Sequence, residues 1–446
     1  MAIGLVSLNS YSIADTYFVG QLGTLPLAAL GFTFPVSFCL IAIGLGVGIG
    51  TSSLLARLLG TGDEASVQRI TTHALLLAAL LGVIVMVAGL ATIGPVFTLL
   101  GADERTLPLI REYMEVYYFG GFLVILPMVG NFAMRAAGDA RAPAIILTTS
   151  AVINIVLDPI LIFGWLGFPA LELRGAAIAT VIANGTTVVA SIYMLYRRER
   201  LIRWRYVRPD HLFDSWRRLL HVGVPAIASN LLNPVTIGVI TSFVSGYGPA
   251  AVAGFGVASR IEAVVMVVIF AVTSSVGPFV GQNYGAGRLD RVREFVRMAD
   301  KFCIAYALAA AGALILAARP LGTLFTEDAE VVATAATYLL IVPFSLAGFG
   351  VMLTAVAAFN ALGRPLPATG LTFIKLFLGY IPMAWLLSRL AGLEGIFWAN
   401  ALAHLAFGAV GYVWLHRVLD RLGEEQAHRA GAAAGAFTAS RRAQSR

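Results

Sequence analysis

The sequence predicts an all-α integral membrane protein with twelve transmembrane helices in two six-helix lobes related as parallel repeats. Three observations carry that prediction. The 446 residues are 59% apolar and only 12% charged, against roughly 45–50% and about 25% in soluble domains. The apolar residues gather into runs of about 20, the length that crosses a bilayer as a helix. The chain also matches itself at a constant offset of 225, without a gap, from Phe18 to Pro143.

Composition limits the function classes. A mean hydropathy of +0.84 leaves more apolar surface than one core can bury, so lipid has to solvate the outside. Cys39 and Cys303 lie far apart within apolar runs, which excludes a disulfide scaffold and a cysteine metal cluster. A net charge of +7 would suggest nucleic acid in a soluble protein. Here it reflects arginines that fix orientation, and no nucleic-acid partner is expected.

The spans fall at 1–20, 26–56, 70–100, 112–134, 143–165, 175–196, 219–245, 250–281, 300–318, 331–362, 366–388 and 395–416. They are continuous rather than alternating, and too long for the ten-residue strands of a transmembrane barrel. The first run is short and begins at Met1, as a secretory signal would, but it lacks a positive n-region. Residues 1–196 form the first lobe, 197–217 a basic connector, 218–420 the second lobe and 421–446 a disordered tail rich in Ala, Gly and Arg.

Orientation follows from the basic residues, which stay on the cytoplasmic side. Of the 31 lysines and arginines, 24 fall in even-numbered loops and the tail, five in odd-numbered loops (Arg105, Arg111, Arg174, Arg319, Arg389) and two inside spans (Arg260, Lys375). Both termini are therefore expected in the cytoplasm, with the chain multi-pass in the plasma (inner) membrane.

The repeat brings Gly23 onto Gly248, Gly62 onto Gly287, Asp103 onto Asp328, Tyr113 onto Tyr338 and Gly138 onto Gly363. Six helices per copy is an even number, so both copies enter the membrane from the same side. Helix seven begins near Arg218, whose partner position precedes Met1. The expectation is that Met1 is a late start and that the first helix lacks about two turns.

Charge inside lipid is the most informative signal, because an acidic residue at mid-span costs about 2.5–3.5 kcal/mol on insertion scales and marks an ion or substrate path. Asp15 lies near the end of helix one. Asp158 sits in the stretch Asn154-Ile155-Val156-Leu157-Asp158-Pro159 of helix five. Asn154 and Asp158, spaced i, i+4, share a face, and Pro159 leaves the Ile155 carbonyl without its helical donor. A carboxylate, an amide oxygen and a freed carbonyl make an oxygen-rich pocket for a proton or a small hard cation. The competing reading is a buried polar knot that only ties helices together. At the repeat positions stand Ile240 and Met383, so any carboxylate site belongs to the N-terminal half.

The C-terminal half carries Arg260 and Glu262 in helix eight and Lys375 in helix eleven. Two readings stand: mutual neutralisation by ion pairing, or a second polar site in the cavity. Gly44, Gly46, Gly48 and Gly50 lie inside an apolar helix with no preceding strand, so they read as two G-x-x-x-G packing pairs rather than a phosphate loop. No G-x-x-x-x-G-K-[ST], H-E-x-x-H or D-D-x-x-D run occurs. Neither ATP hydrolysis nor an enzyme centre is expected, no ATPase partner is implied, and an ion gradient has to drive any uphill transport.

The run Asp15-Thr16-Tyr17-Phe18-Val19-Gly20-Gln21-Leu22-Gly23 leading to Ala28-Ala29, the segment Asn154 to Gly164 followed by Gly175-Ala176-Ala177-Ile178-Ala179-Thr180, and Gly281-Gln282-Asn283-Tyr284-Gly285-Ala286-Gly287 resemble the multidrug and toxic compound extrusion (MATE) family, in its DinF-like branch. The resemblance covers nearly the whole chain. It implies a V-shaped antiporter without a cofactor that expels amphipathic, often cationic compounds and rocks between inward-open and outward-open states. It further implies a coupling site, for H+ or Na+, at Asp15, Asn154, Asp158 and Thr180, with sodium there as the sole metal. Another branch uses acidic residues in helices seven and ten, and 219–245 and 331–362 contain none.

The rival function is a flippase for lipid-linked oligosaccharide or peptidoglycan precursors, which would line its central cavity with several basic residues; only Arg260 and Lys375 lie within spans. A structural membrane protein has little use for paired intramembrane aspartates. The expected partners are amphipathic small molecules and the bilayer, and the twelve-helix unit is expected to act as a monomer.

Overall fold

Apolar runs in lipid must satisfy every backbone hydrogen bond internally, which helices alone do within single segments. The computed structural model, which describes residues 2–207 and 211–444, is accordingly helical, with no strand among the described residues. Helix α1 is Ala2–Gly20, α2 Thr24–Thr61 and α3 Glu64–Leu99. Helix α4 is built from Thr106–Phe119 and Gly121–Ala136, bent by 47° at Gly120. Helix α5 is Arg141–Phe163, and α6 is Glu172–Tyr193 continued by a π turn, Met194–Arg198.

The second lobe repeats the first. Helices α7 (Leu212–Ser245), α8 (Pro249–Gly285) and α9 (Leu289–Thr323) are followed by α10, in which Ala329–Ile341 and Leu346–Ala361 are joined by a 3-10 turn. Helix α11 starts at Pro365–Phe373, passes through a π segment, Ile374–Tyr380, and enters the helical stretch Ile381–Gln444. That stretch reverses at Ala391 and Gly392, where φ of Gly392 is 61°, and Gly395 returns against the Leu387 carbonyl. The reversal separates α11 from α12, which makes twelve spans.

The repeat is visible in the backbone. The glycine pairs 23 and 248, 62 and 287, and 138 and 363 all have positive φ at equivalent turns, a region open to glycine at little steric cost. Asp103 and Asp328 do equivalent work at the starts of α4 and α10. Asp103 accepts from the Thr106 N–H at 2.8 Å, and Asp328 from the Glu330 and Val331 N–H groups.

The helices outrun the apolar spans at the connector end. Helix α7 begins at Leu212, not near 218, and the connector is fastened to α3: His73 bonds the Ser215 hydroxyl at 2.8 Å and the Tyr206 carbonyl at 3.1 Å, and Trp216 Nε1 donates to the His73 carbonyl. Residue 421, where the disordered tail was expected to begin, lies within a helix. The helix continues because Leu422 is buried and Gln426 Nε2 donates to the Gly287 carbonyl at 2.6 Å. The expected late start at Met1 lies outside the described residues.

The lobes meet through the connector-side half of α2. The four glycines of 44–50 divide between two faces: Gly44 and Gly48 seat Met128 and Phe132 of α4, whereas Gly46 and Gly50 lie against the backbone of α7 at Gly223 and Leu219. Further along, a methyl group on Gly60 would overlap the Gln282 carbonyl, and one on Gly285 the Arg57 carbonyl. Arg57 Nη1 donates to the Ala361 carbonyl at 2.6 Å, and Gln282 Nε2 donates to the Ala136 carbonyl at 2.6 Å. Both donor and acceptor of the second bond stand 225 positions from those of the first, so each lobe clasps the end of the other's fourth helix. At the opposite end Gly31 and its repeat mate Gly256 have nothing within 4 Å of a Cβ position. The result is a V, closed at the connector end.

Candidate functional site

Asp15 and Asp158 each sit five residues before the end of their helices, α1 and α5, at matching depth away from the connector. Helix α1 packs along α5, which in turn packs on α6, and this brings the four sequence candidates into one cluster. Asp158 is 0% exposed, Asn154 2%, Thr180 7% and Asp15 8%. The Asn154 Nδ2 donates to Thr180 Oγ1 at 3.3 Å, which spends the amide nitrogen and leaves the oxygen. Both Asp158 oxygens, Asp15 Oδ1 and Asn154 Oδ1 are buried without a hydrogen-bond partner among the described residues. The two carboxylates lie within electrostatic reach of each other.

That arrangement cannot persist as two bare charges, because an unpaired ion in a low-dielectric interior costs several kcal/mol. The cluster is therefore suited to taking up positive charge. Its ligands are hard oxygens, which suit a proton or a monovalent ion. Among the described residues no three His, Cys, Asp or Glu side chains come together as a metal centre.

Asn154 and Thr180 also belong to the wall of a 290 Å3 cavity enclosed by α2, α4, α5 and α6. Tyr117, which exchanges a hydrogen bond with Ser37 and feels the Asp15 charge, stands at the same wall. The carboxylates thus lie just behind the lining of an apolar chamber floored by Met128, Phe132 and Arg135.

In the second lobe Glu262 and Lys375 lie within electrostatic reach of each other, and Arg260 stands apart. Arg260 is exposed on α8. Glu262 accepts a hydrogen bond from the Tyr338 hydroxyl, which itself accepts from Asn400 Nδ2 at 3.4 Å. Lys375 is buried, with its ammonium 4.1 Å from the centre of the Phe349 ring, and Phe349 stacks on His404, which pairs with Ser345 at 3.1 Å. No ion pair joins Arg260, Glu262 and Lys375 among the described residues, so mutual neutralisation by direct pairing is not what the geometry shows.

Sequence reasoning missed Tyr338, Asn400 and His404, whose residue types are unremarkable until helices 10 and 12 are packed. The π segment around Lys375 is the structural mark there, since such widened turns gather at functional positions. Asp300 was also passed over: it is buried in α9, with Oδ1 unpartnered. Arg57 and Gln282 were legible in principle, as polar residues at one offset.

Comparison with known proteins identifies the family. The MatE family model matches residues 1–160 and 225–386, one match per lobe. The chain is similar to the FAD transporter of Shewanella oneidensis, 37% identical over 94% of this chain and 92% of that one. It is also similar to the probable multidrug resistance protein YoeA of Bacillus subtilis, at 29% identity over 90% and 89%. A crystal structure of a mutant of the Vibrio cholerae MATE transporter VcmN superposes with a TM-score of 0.90, at 29% identity, covering 94% of this chain and 95% of that one. The chain belongs to the MATE family of multidrug efflux transporters, and is a multi-pass membrane transporter rather than an enzyme.

Proposed function

We propose that the protein is a secondary antiporter that exports amphipathic small molecules in exchange for a proton or sodium ion bound at Asp15, Asn154, Asp158 and Thr180. The observation that carries this reading is the set of four buried, unpartnered oxygens on three adjacent side chains. An ion that binds one lobe arrangement better than the other shifts the equilibrium between them by its differential affinity. The basic residues of the even-numbered loops support a cytoplasmic connector and cytoplasmic termini in the inner membrane, which makes the V outward-open. The described cavity is enclosed by helices of one chain, α2, α4, α5 and α6, which supports a monomer. Glu262 and Lys375 form a second polar site in the C-terminal lobe, with Arg260 as an exposed neighbour on α8.

The family resemblance points to cationic compounds. A second reading rests on the Shewanella relative's name and on one feature of this chain: the sole charged side chain lining the described cavity is Arg135. A flavin dinucleotide, planar and anionic, is a substrate of that chemistry. Lipid-linked precursors fit less well, since one arginine is a small counterpart for a pyrophosphate.

Proteoliposomes loaded with a fluorescent amphipathic dye test the proposal. Dye should leave faster when a proton or a sodium gradient is imposed across the bilayer than when neither is. Equal rates under all three conditions would refute antiport.

A further inference from the structure

The floor of the N-lobe cavity has a definite chemistry. Arg135, in the last turn of α4, is half-buried and lies with its guanidinium carbon 3.9 Å above the centre of the Phe132 ring. Its Nε is buried without a hydrogen-bond partner, and no carboxylate pairs with it among the described residues. The end of a helix favours a cation, but that field leaves the guanidinium edge, with its fixed fork of donors, unused.

The remainder of the lining is neutral. Asn131, Asn184, Ser150 and Thr187 supply amide and hydroxyl groups, and Ile41, Leu45 and Met128 supply apolar surface. Phe132 is held in place because Gly48 of α2 leaves no room behind its ring, where a methyl group would overlap it. Arg135 is also the residue before Ala136, whose carbonyl receives the inter-lobe bond from Gln282. The carboxylates at Asp15 and Asp158 are outside the lining, beyond Asn154, and Leu147 to Asn154 alone spans about 10 Å of helix axis.

We propose that Arg135 and Phe132 form a recognition subsite that makes this cavity select amphipathic aromatic anions, carboxylates or phosphate esters on a planar ring, over cations. The proposal deepens the antiport reading and rests on it for the word substrate. The anionic group takes the open edge of the guanidinium, bidentately where the geometry of a carboxylate or phosphate allows. The ring lies against Met128, Ile41 and Leu45, while Phe132, wedged between Gly48 and the guanidinium, holds Arg135 in place. A cation entering the same chamber meets an uncompensated positive charge with no acidic side chain in the lining to offset it.

The test is equilibrium binding to the purified full-length protein of two xanthene dyes with the same ring system, anionic fluorescein and cationic rhodamine 6G, followed by fluorescence anisotropy. Wild type should bind fluorescein at least 10-fold more tightly than rhodamine 6G. Arg135→Gln should lose at least 10-fold for fluorescein and nothing for rhodamine 6G. Arg135→Lys, which keeps the charge but not the fork, should fall between. Equal or tighter binding of rhodamine 6G by wild type overturns the proposal, as does failure of wild type to bind either dye. Equal weakening of both dyes in Arg135→Gln overturns it too, and the wild-type comparison and Arg135→Lys stand if that variant does not fold. The two readings fail separately. A preserved charge preference with no gradient-driven efflux sinks antiport, whereas gradient-driven efflux with a preference for the cationic dye sinks the subsite.

Discussion

Replacing Arg57 with alanine should open the connector end of the V. The side chain donates to the Ala361 carbonyl across the lobe interface and to Ser53 Oγ at 2.7 Å, and Ser53 in turn donates to the Asn360 carbonyl of the other lobe. Losing the charged inter-lobe bond removes about 1.5–3 kcal/mol, and loosening the Ser53 bond about 0.5–1 kcal/mol more. A total of about 2–4 kcal/mol moves the ratio of the two lobe arrangements by roughly 30-fold to 1,000-fold. Gln282→Ala, which removes one neutral bond, should move it by about 10-fold at most. The double variant will fall short of the sum if the two clasps report on a single interface. Spin labels at Thr24→Cys and Ser245→Cys, both exposed at the opposite end, with Cys39 and Cys303 replaced by serine, read the separation by pulsed electron resonance. The variants should gain a shorter distance, Arg57→Ala more than Gln282→Ala. An unchanged distribution in both would show that the clasps do not set the lobe equilibrium.

Three further outcomes follow from the packing. Gly60→Ala, whose methyl group would overlap the Gln282 carbonyl, should populate the same shorter distance as Arg57→Ala; a wild-type distribution would contradict the closeness of α2 and α8. His73→Ala leaves the Ser215 hydroxyl and the Tyr206 carbonyl without a partner, should cost about 2–4 kcal/mol and should speed limited proteolysis within the connector; unchanged cleavage would show that α3 does not hold it. At the end facing away from the connector, Thr106 holds the Asp103 carboxyl below the usual carboxylate range by donating from its hydroxyl and its N–H. Because the folded carboxyl holds its proton less tightly than the unfolded one, this stabilisation is complete above the ordinary value of about 3.9 and is lost as the pH falls through the folded one. Asp103→Asn should flatten that acid limb of the melting-temperature profile, and an unaltered limb would contradict it.

The membrane fold was legible because lipid imposes a coarse rule: the spans are long, apolar and separated by breaks that glycine and aspartate mark. The duplication was equally plain, and the turn pairs at Gly23 and Gly248 or Gly62 and Gly287 keep the same backbone sign. Asp15, Asn154 and Asp158 stood out because charge and amide groups inside an apolar run are rare, whereas Thr180 was named only through the family resemblance. Arg135 was not singled out, since its place beside a basic loop made it one of many orienting arginines; only the packing of Phe132 against Gly48 shows that it turns into a chamber. The split of Gly44 and Gly48 from Gly46 and Gly50 between two lobes likewise needed the three-dimensional neighbours, because i, i+4 spacing names a face but not what the face meets. The helical extensions at the ends of α7 and α12 left no mark in the sequence for a related reason. Their polar extensions are held by hydrogen bonds to distant segments, such as Ser215 and Trp216 to His73 and Gln426 to Gly287, that leave no periodic trace.

The central claim is that the carboxylates of Asp15 and Asp158 bind the ion that drives export. The most direct measurement compares wild type with Asp158→Asn in proteoliposomes, recording both gradient-driven efflux and gradient-free exchange of the same fluorescent substrate. The account predicts that Asp158→Asn still exchanges substrate between the two sides but no longer responds to the gradient that drives the wild type. A variant that responds to that gradient as strongly as wild type would contradict it, and would place the coupling ion elsewhere in the chain.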